Sequence, residues 1–212
     1  MGRKMGVMVG LLLAAAMVAP GLANAEAGFT KGVKVGLNLA TATGSDAAPA
    51  AGETKGMRIG LAAGLFGAFG LPAAPIAIQV EALYSMKGVK YSAGSDSFTL
   101  QLDYLDIPVL VKYDVAPAPT KISIFAGPSL GILLGAKSAY DFGGTTGSVD
   151  IKDQVASTDL GLVFGVAVGL PGGISIDVRY DMGLSSLDKP VAGATAAKIY
   201  NGVIAAAVGY AF

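Results

Sequence analysis

Ile174-Ser-Ile-Asp-Val-Arg-Tyr-Asp-Met-Gly-Leu184 is the stretch that decides the fold. Ile174, Ile176, Val178, Tyr180, Met182 and Leu184 alternate with Ser175, Asp177, Arg179, Asp181 and Gly183. Successive side chains of a β-strand point to opposite faces, so the segment has one wholly apolar face and one charged face.

The same period of two runs outward in both directions. Toward the C-terminus, Tyr200, Ile204, Ala206, Val208, Tyr210 and Phe212 oppose Asn201, Val203, Ala205 and Ala207. Toward the N-terminus, Leu160 to Val168 oppose Asp159, Gly161, Gly165 and Gly169, and Ile122 to Leu134 oppose Ser123, Gly127, Ser129, Gly131 and Gly135. Leu105 to Tyr113 alternate with Asp106, Leu110 and Lys112, and Ile76 to Met86 with Gln79, Glu81 and Ser85. Met57 to Leu65 alternate with Arg58 and two glycines, and Val33 to Leu39 with Lys34, Gly36 and Asn38. That makes eight segments, and no apolar face among them carries a charge. Phe98, Leu100, Leu102 and Tyr104 are apolar at even positions, but from Leu105 the apolar positions are odd. A β-bulge near Tyr104–Leu105 is the expected reconciliation.

A soluble β-sandwich would put charge on the outer face of each strand. Here charged residues make up 14% of the 212-residue chain and hydrophobic residues 53%, against about 25% charged in ordinary soluble domains. The polar face is mostly glycine, alanine and serine with a few charges, which suits the packed interior of a narrow barrel. The expected fold is all-β: a transmembrane, eight-stranded, antiparallel up-and-down barrel. Its interior is expected to hold a charged network of Lys34, Arg58, Glu81, Lys112, Asp159, Asp177, Arg179 and Asp181.

The connections alternate in kind. Those at 70–75, 116–120 and 171–173 are short and rich in proline or glycine, while 41–56, 88–97, 138–157 and 188–197 read as longer polar loops. Short turns at one end and long loops at the other mark outer-membrane barrels, with the turns in the periplasm. Tyr84, Tyr113, Tyr180, Tyr200, Tyr210 and Phe212 fall on apolar faces and are expected at the membrane interfaces. Tyr200 and Tyr210 are ten residues apart, a rise of about 34 Å along a strand. Tilted by roughly 40°, this gives about 26 Å of height, near the ~25 Å apolar band between aromatic girdles.

Residues 1–25 read as a secretory signal peptide. Arg3 and Lys4 precede an apolar run from Met5 to Ala19, Pro20-Gly21 breaks it, and Ala23-Asn24-Ala25 fits cleavage after Ala25. The run is shorter than the roughly 20 residues that a spanning helix needs. Residues 26–212 then form the barrel domain. A helical membrane protein is the competing reading, because 59–78 carries no charge and glycines recur every fourth residue. Pro72 and Pro75 interrupt that window. Glu81, Lys112, Asp177, Arg179 and Asp181 would fall in or beside other helices, where charge at membrane depth is costly.

Several stretches together resemble the outer-membrane β-barrel domain proteins often labelled porin family or PorT-like. They are Gly32-Val-Lys-Val-Gly-Leu-Asn-Leu39, Tyr104-Leu-Asp-Ile-Pro-Val-Leu-Val-Lys-Tyr113, Gly127-Pro-Ser-Leu-Gly131, Arg179-Tyr-Asp-Met-Gly-Leu184 and Gly209-Tyr-Ala-Phe212. The resemblance implies an eight-stranded barrel in the outer membrane of a Gram-negative bacterium and no single function.

The residue inventory bounds the chemistry. There is no cysteine and no histidine, so thiolate chemistry and histidine-based acid–base catalysis are ruled out. Asp177 and Asp181 flank Arg179 on one strand face, which reads as an ion-pair network neutralising buried charge rather than a catalytic pair. Asp141, Asp150 and Asp153 do not follow EF-hand spacing, and no cofactor, metal or nucleic-acid site is expected. Expected partners are outer-membrane lipid and, through the C-terminal strand ending in Phe212, the barrel-assembly machinery. The function expected is a structural or interaction role through the outer loops of a barrel with a filled lumen. The alternative is a narrow porin-like channel for small solutes.

Overall fold

The alternating segments become strands that close on themselves in the computed structural model, which describes residues 28–72, 74–116, 120–189 and 197–212. The strands are β1 (Phe29–Thr43), β2 (Thr54–Gly70), β3 (Ile76–Ala93), β4 (Asp96–Ala116), β5 (Lys121–Phe142), β6 (Thr145–Asp150), β7 (Thr158–Gly169), β8 (Ile174–Gly183) and β9 (Tyr200–Ala211). Antiparallel pairing runs β1–β2–β3–β4–β5–β7–β8–β9 and returns from β9 to β1. Eight strands therefore form the ring. β6 pairs with the far part of β5 and stands outside it.

Closure follows from the two-faced pattern. The odd residues of β1 and β2 face out, with Val35 57% and Ile59 72% exposed, while Lys34 and Arg58 are buried inside. An apolar belt running round the whole ring is stable against hydrocarbon, and a closed sheet leaves no backbone edge unsatisfied there. Residues 59–78, the window open to a helical reading, fall in β2, β3 and the turn between them. Among the described residues no helix is long and apolar enough to cross a membrane.

One end of the ring carries the described N-terminal residues, the C-terminus and the short connections β2–β3, β4–β5 and β7–β8. The other carries the longer β1–β2 connection, the β5–β6 extension and the β8–β9 connection. We call these the terminus end and the loop end. The signal sequence and its cleavage at Ala25 lie outside the described residues.

Two sequence expectations need correction. The expected bulge in β4 is absent there: Leu102, Tyr104, Asp106 and Leu110 keep one parity and all face inward. The register slips in the partner strand instead, where Asp103 opposes Gly135 and Tyr104 opposes Leu133, leaving Leu134 as the extra residue of β5. The phase of β4 changes because its interior-facing residues become apolar near the loop end, not because the strand bends. The stretches 88–97 and 138–157 are also less loop-like than expected. β3 and β4 pair out to Ala93 and Asp96 with Gly94 and Ser95 at the tip. β5 turns through Gly143 (φ 57°) and Gly144 (φ 83°) into β6. Two adjacent left-handed residues give the tight turn whose twist matches a hairpin, and glycine adopts them without strain. Polar residues hid these strands. Tyr91, opposite Phe98, and the stacked pair Tyr140–Phe142, 5.6 Å apart, hold the extended sheet together.

Candidate functional site: the charged interior

Charged residues from six strands meet inside the ring and separate into two groups. The group nearer the terminus end centres on Glu81 of β3, which is fully buried. Lys34 Nζ donates to Glu81 Oε1 at 2.6 Å and lies 2.9 Å from Asp177 Oδ2. Arg179 Nη1 donates to Glu81 Oε2 at 2.7 Å, and Arg179 Nε donates to Asp177 Oδ1 at 2.7 Å. Gln79 Nε2 donates to Glu81 Oε1 at 2.5 Å and, in turn, Gln79 Oε1 accepts from Lys112 Nζ at 3.2 Å. Two carboxylates thus face two fully engaged cations, and the charge-assisted, partly bidentate geometry suits burial. Phe125 lies under the Arg179 guanidinium at 5.3 Å, and Phe66 lies 5.8 Å from the Lys34 ammonium.

The group nearer the loop end centres on Lys87 of β3, only 2% exposed. Its ammonium lies 3.0 Å from Asp106 Oδ2, 3.0 Å from Asp181 Oδ2 and 3.8 Å from Asp159 Oδ2. Asn201 Nδ2 donates to Asp159 Oδ2 at 2.7 Å, and Ser185 Oγ donates to Asp159 Oδ1 at 3.2 Å. Tyr104 puts its ring 5.2 Å from the Lys87 ammonium. Arg58 donates to the Lys87 carbonyl and lies 3.8 Å from Asp103 Oδ1.

A cavity of about 30 Å³ separates the two groups, lined by Asn38, Ser85, Asp106, Ser129, Arg179 and Asp181 among others. Below the Glu81 group a vestibule of about 340 Å³ reaches the terminus end past Lys112, Ser123, Ser175 and Ala211. Above the Lys87 group lies an apolar cluster of Leu102, Tyr104, Leu133, Ala136, Val155 and Leu187. Val155 and Leu187 come from the connections before β7 and after β8, which are tied together by Ala156 N–H donating to the Leu187 carbonyl at 2.8 Å.

All eight charged residues expected inside are on the inner face, but they do not form one network. Asp177 and Asp181, two positions either side of Arg179, belong to different groups. Lys112 binds Gln79 and is half-buried at the vestibule, and Arg58 reaches toward the loop end. The sequence reading put Lys87, Asp106, Gln79 and Asn201 on the polar faces but did not count them in the network; parity had found them, with Lys87 and Gln79 on the face of Glu81 in β3 and Asp106 on that of Lys112 in β4. Tyr84, Tyr113, Tyr180, Tyr200, Tyr210 and Phe212 all lie on the outer face. Tyr200 is at the loop end of β9, Tyr210 and Phe212 at its terminus end, and Tyr84 and Tyr180 within their strands. Asp141 and Asp150 sit at different positions of the β5–β6 hairpin, opposite Thr146 and Lys137.

A closed ring of eight antiparallel strands with lipid-type side chains outside and paired charge inside defines an integral membrane barrel of the outer-membrane type. Residues 23–189 match the outer membrane protein beta-barrel domain family, and the chain belongs to that family. Its place is the cell outer membrane, and this family defines a structural barrel rather than an enzyme class. Among solved structures, the chain is similar to Ail, the attachment invasion locus protein of Yersinia pestis. That match has 11% identity and a TM-score of 0.46, and covers 87% of this chain and 99% of that one. It is also similar to Neisserial surface protein A, with 19% identity, a TM-score of 0.45 and the same coverage. No curated protein matches the sequence.

Proposed function

We propose that this protein is a non-conducting outer-membrane barrel that acts through its loop end, which faces the cell exterior, and that its interior serves to hold that end rigid. The observation that carries this reading is the stacking along the bore. Two groups of paired charges and an apolar cluster succeed one another, with a cavity of only about 30 Å³ between the charged groups. Such a cavity accommodates about two waters and no continuous file of them. Short turns at the terminus end support the orientation. Tyr200 toward the exterior, with Tyr113, Tyr210 and Phe212 toward the periplasm, are the interface aromatics, and Tyr84 and Tyr180 pack against lipid. The strand ending in Phe212 is the segment offered to the barrel-assembly machinery. An interaction role is supported by the β4–β6 extension, which rises past the ring and exposes Phe98, Phe142 and Val149. Exposed apolar side chains on such an extension suit contact with another surface.

Planar-bilayer recording of refolded protein tests the reading. The expected result is a silent bilayer for the natural chain, and opening only when the Glu81 and Lys87 groups are both cut back to alanine. Reproducible unit conductance from the natural chain would favour a narrow solute channel and sink the closed barrel.

A further inference from the structure

The extension that rises past the ring has two unlike sides. Directly opposed residues of antiparallel strands share a side. The pairs Tyr91–Phe98 and Phe98–Tyr140 therefore set three rings in one row across β3, β4 and β5. Asp96 and Phe142, each two residues from a member of the row, join the same side. It is the side on which Leu102 and Tyr104 point into the barrel. Lys90 opposes Thr99, and Lys137 opposes Gln101 and Asp150, so both lysines lie on the other side.

The aromatic side is open and shaped. Phe98 and Phe142 are 37% and 53% exposed. Tyr140 lays its phenol across Gly147 of β6, where a Cβ would stand 2.5 Å from Cζ and 3.0 Å from Cε2. Only glycine admits so close an approach. The Tyr140 and Phe142 rings stack at 5.6 Å with 18° between their planes. At the edge of this surface Asp96 Oδ1 accepts from Gly143 N–H at 3.0 Å and from Ser95 O–H at 3.4 Å. Both bonds engage a single carboxylate oxygen. Lys55, opposite Tyr91, shares the aromatic side, but its ammonium donates to the Ala42 carbonyl at 3.0 Å. Ring faces carry the negative part of the aromatic quadrupole, so rings and carboxylate together make an electronegative surface with the lysines of the extension behind it.

We propose that this side of the extension docks a basic peptide segment of another protein, with arginine side chains over Tyr140 and Phe142 and a guanidinium against Asp96. Charge complementarity selects that occupant. A planar guanidinium stacks on ring faces and pairs with a carboxylate through the same fork of donors. An acidic or sulfated partner would be repelled, and a second copy would bring one electronegative surface against another. Lipid meets the opposite side, which continues the outer face of the barrel. The inference rests on the reading of the loop end as the end that meets partners. It does not depend on whether the bore conducts, so a conducting barrel and a failure of peptide binding are separate results.

The test uses protein refolded into nanodiscs of zwitterionic phosphatidylcholine, with folding checked by gel migration before and after boiling. The readout is fluorescence anisotropy of dye-labelled nona-arginine. The natural chain should bind it saturably, and nona-lysine about threefold more weakly. Tyr140→Leu with Phe142→Leu keeps the apolar area and removes the aromatic faces, and should cost about tenfold in affinity. Asp96→Asn should cost about threefold, whereas Asp150→Asn, on the opposite side, should leave affinity unchanged. Absence of saturable binding would overturn the proposal. So would full affinity in the double leucine variant, which would make the contact merely apolar, or equal losses from Asp96→Asn and Asp150→Asn, which would make it a general attraction of charge. Displacement of nona-arginine by uncharged dextran at the same rings would overturn it in favour of a sugar.

Discussion

Glu81 lies between two cations, whereas Lys87 lies among three carboxylates, and the two sit on the same face of the same strand. Around Glu81 nearly every donor and acceptor has a partner at 2.5 to 3.2 Å. Around Lys87 two carboxylate oxygens, Asp103 Oδ1 and Asp106 Oδ1, have no hydrogen-bond partner among the described residues, and neither does the neighbouring Tyr104 hydroxyl. Charges in one barrel interior thus need not do the same work. A balanced group fixes strands across the bore, because loss of any member leaves the rest buried with unequal charge. An unbalanced group instead gathers several carboxylates on one ammonium, so loss of one carboxylate leaves the cation still paired.

The two groups should respond unequally to mutation. The largest effect is expected from Glu81→Gln, which leaves Lys34 and Arg179 sharing Asp177. Urea unfolding from vesicles should show a loss of about 3–5 kcal/mol, the usual cost of stripping one partner from a buried ion pair. The smaller effect is expected from Asp181→Asn. Lys87 keeps Asp106 and Asp159, the excess negative charge falls, and stability should change by no more than about 1 kcal/mol. Equal and large losses in both variants would show that charge balance does not distinguish the groups.

Much of this was legible in the sequence, for a physical reason. Lipid outside and a crowded polar interior within impose opposite demands on successive residues, so a strand such as Ile174–Gly183 announces both faces. The eight-strand ring, the inward set from Lys34 to Asp181 and the outward aromatics all follow from parity. Parity is silent on height along the bore. It therefore could not tell that Asp177 joins Glu81 while Asp181 joins Lys87, because strand tilt and register decide which residues meet. It also misled where the interior changes character. Leu102 and Tyr104 face inward like Asp106, but they pack against Val155 and Leu187 from the connections, so their apolar nature mimicked a change of phase. At 88–97 and 138–157 polar composition concealed paired strands, because beyond the membrane both faces of a sheet can meet water.

Alternate residues of the barrel strands meet lipid and a packed interior. The chain has no cysteine, so single cysteines can be placed along β8 from Ile174 to Gly183, spin-labelled, and measured in vesicles for collision with oxygen and with a water-soluble nickel chelate. Positions 174, 176, 178 and 180 should collide freely with oxygen, 177 and 179 with neither reagent, and 175, which lines the vestibule, with the nickel chelate. A smooth profile without that alternation, or free nickel access along the whole inner face, would contradict the account.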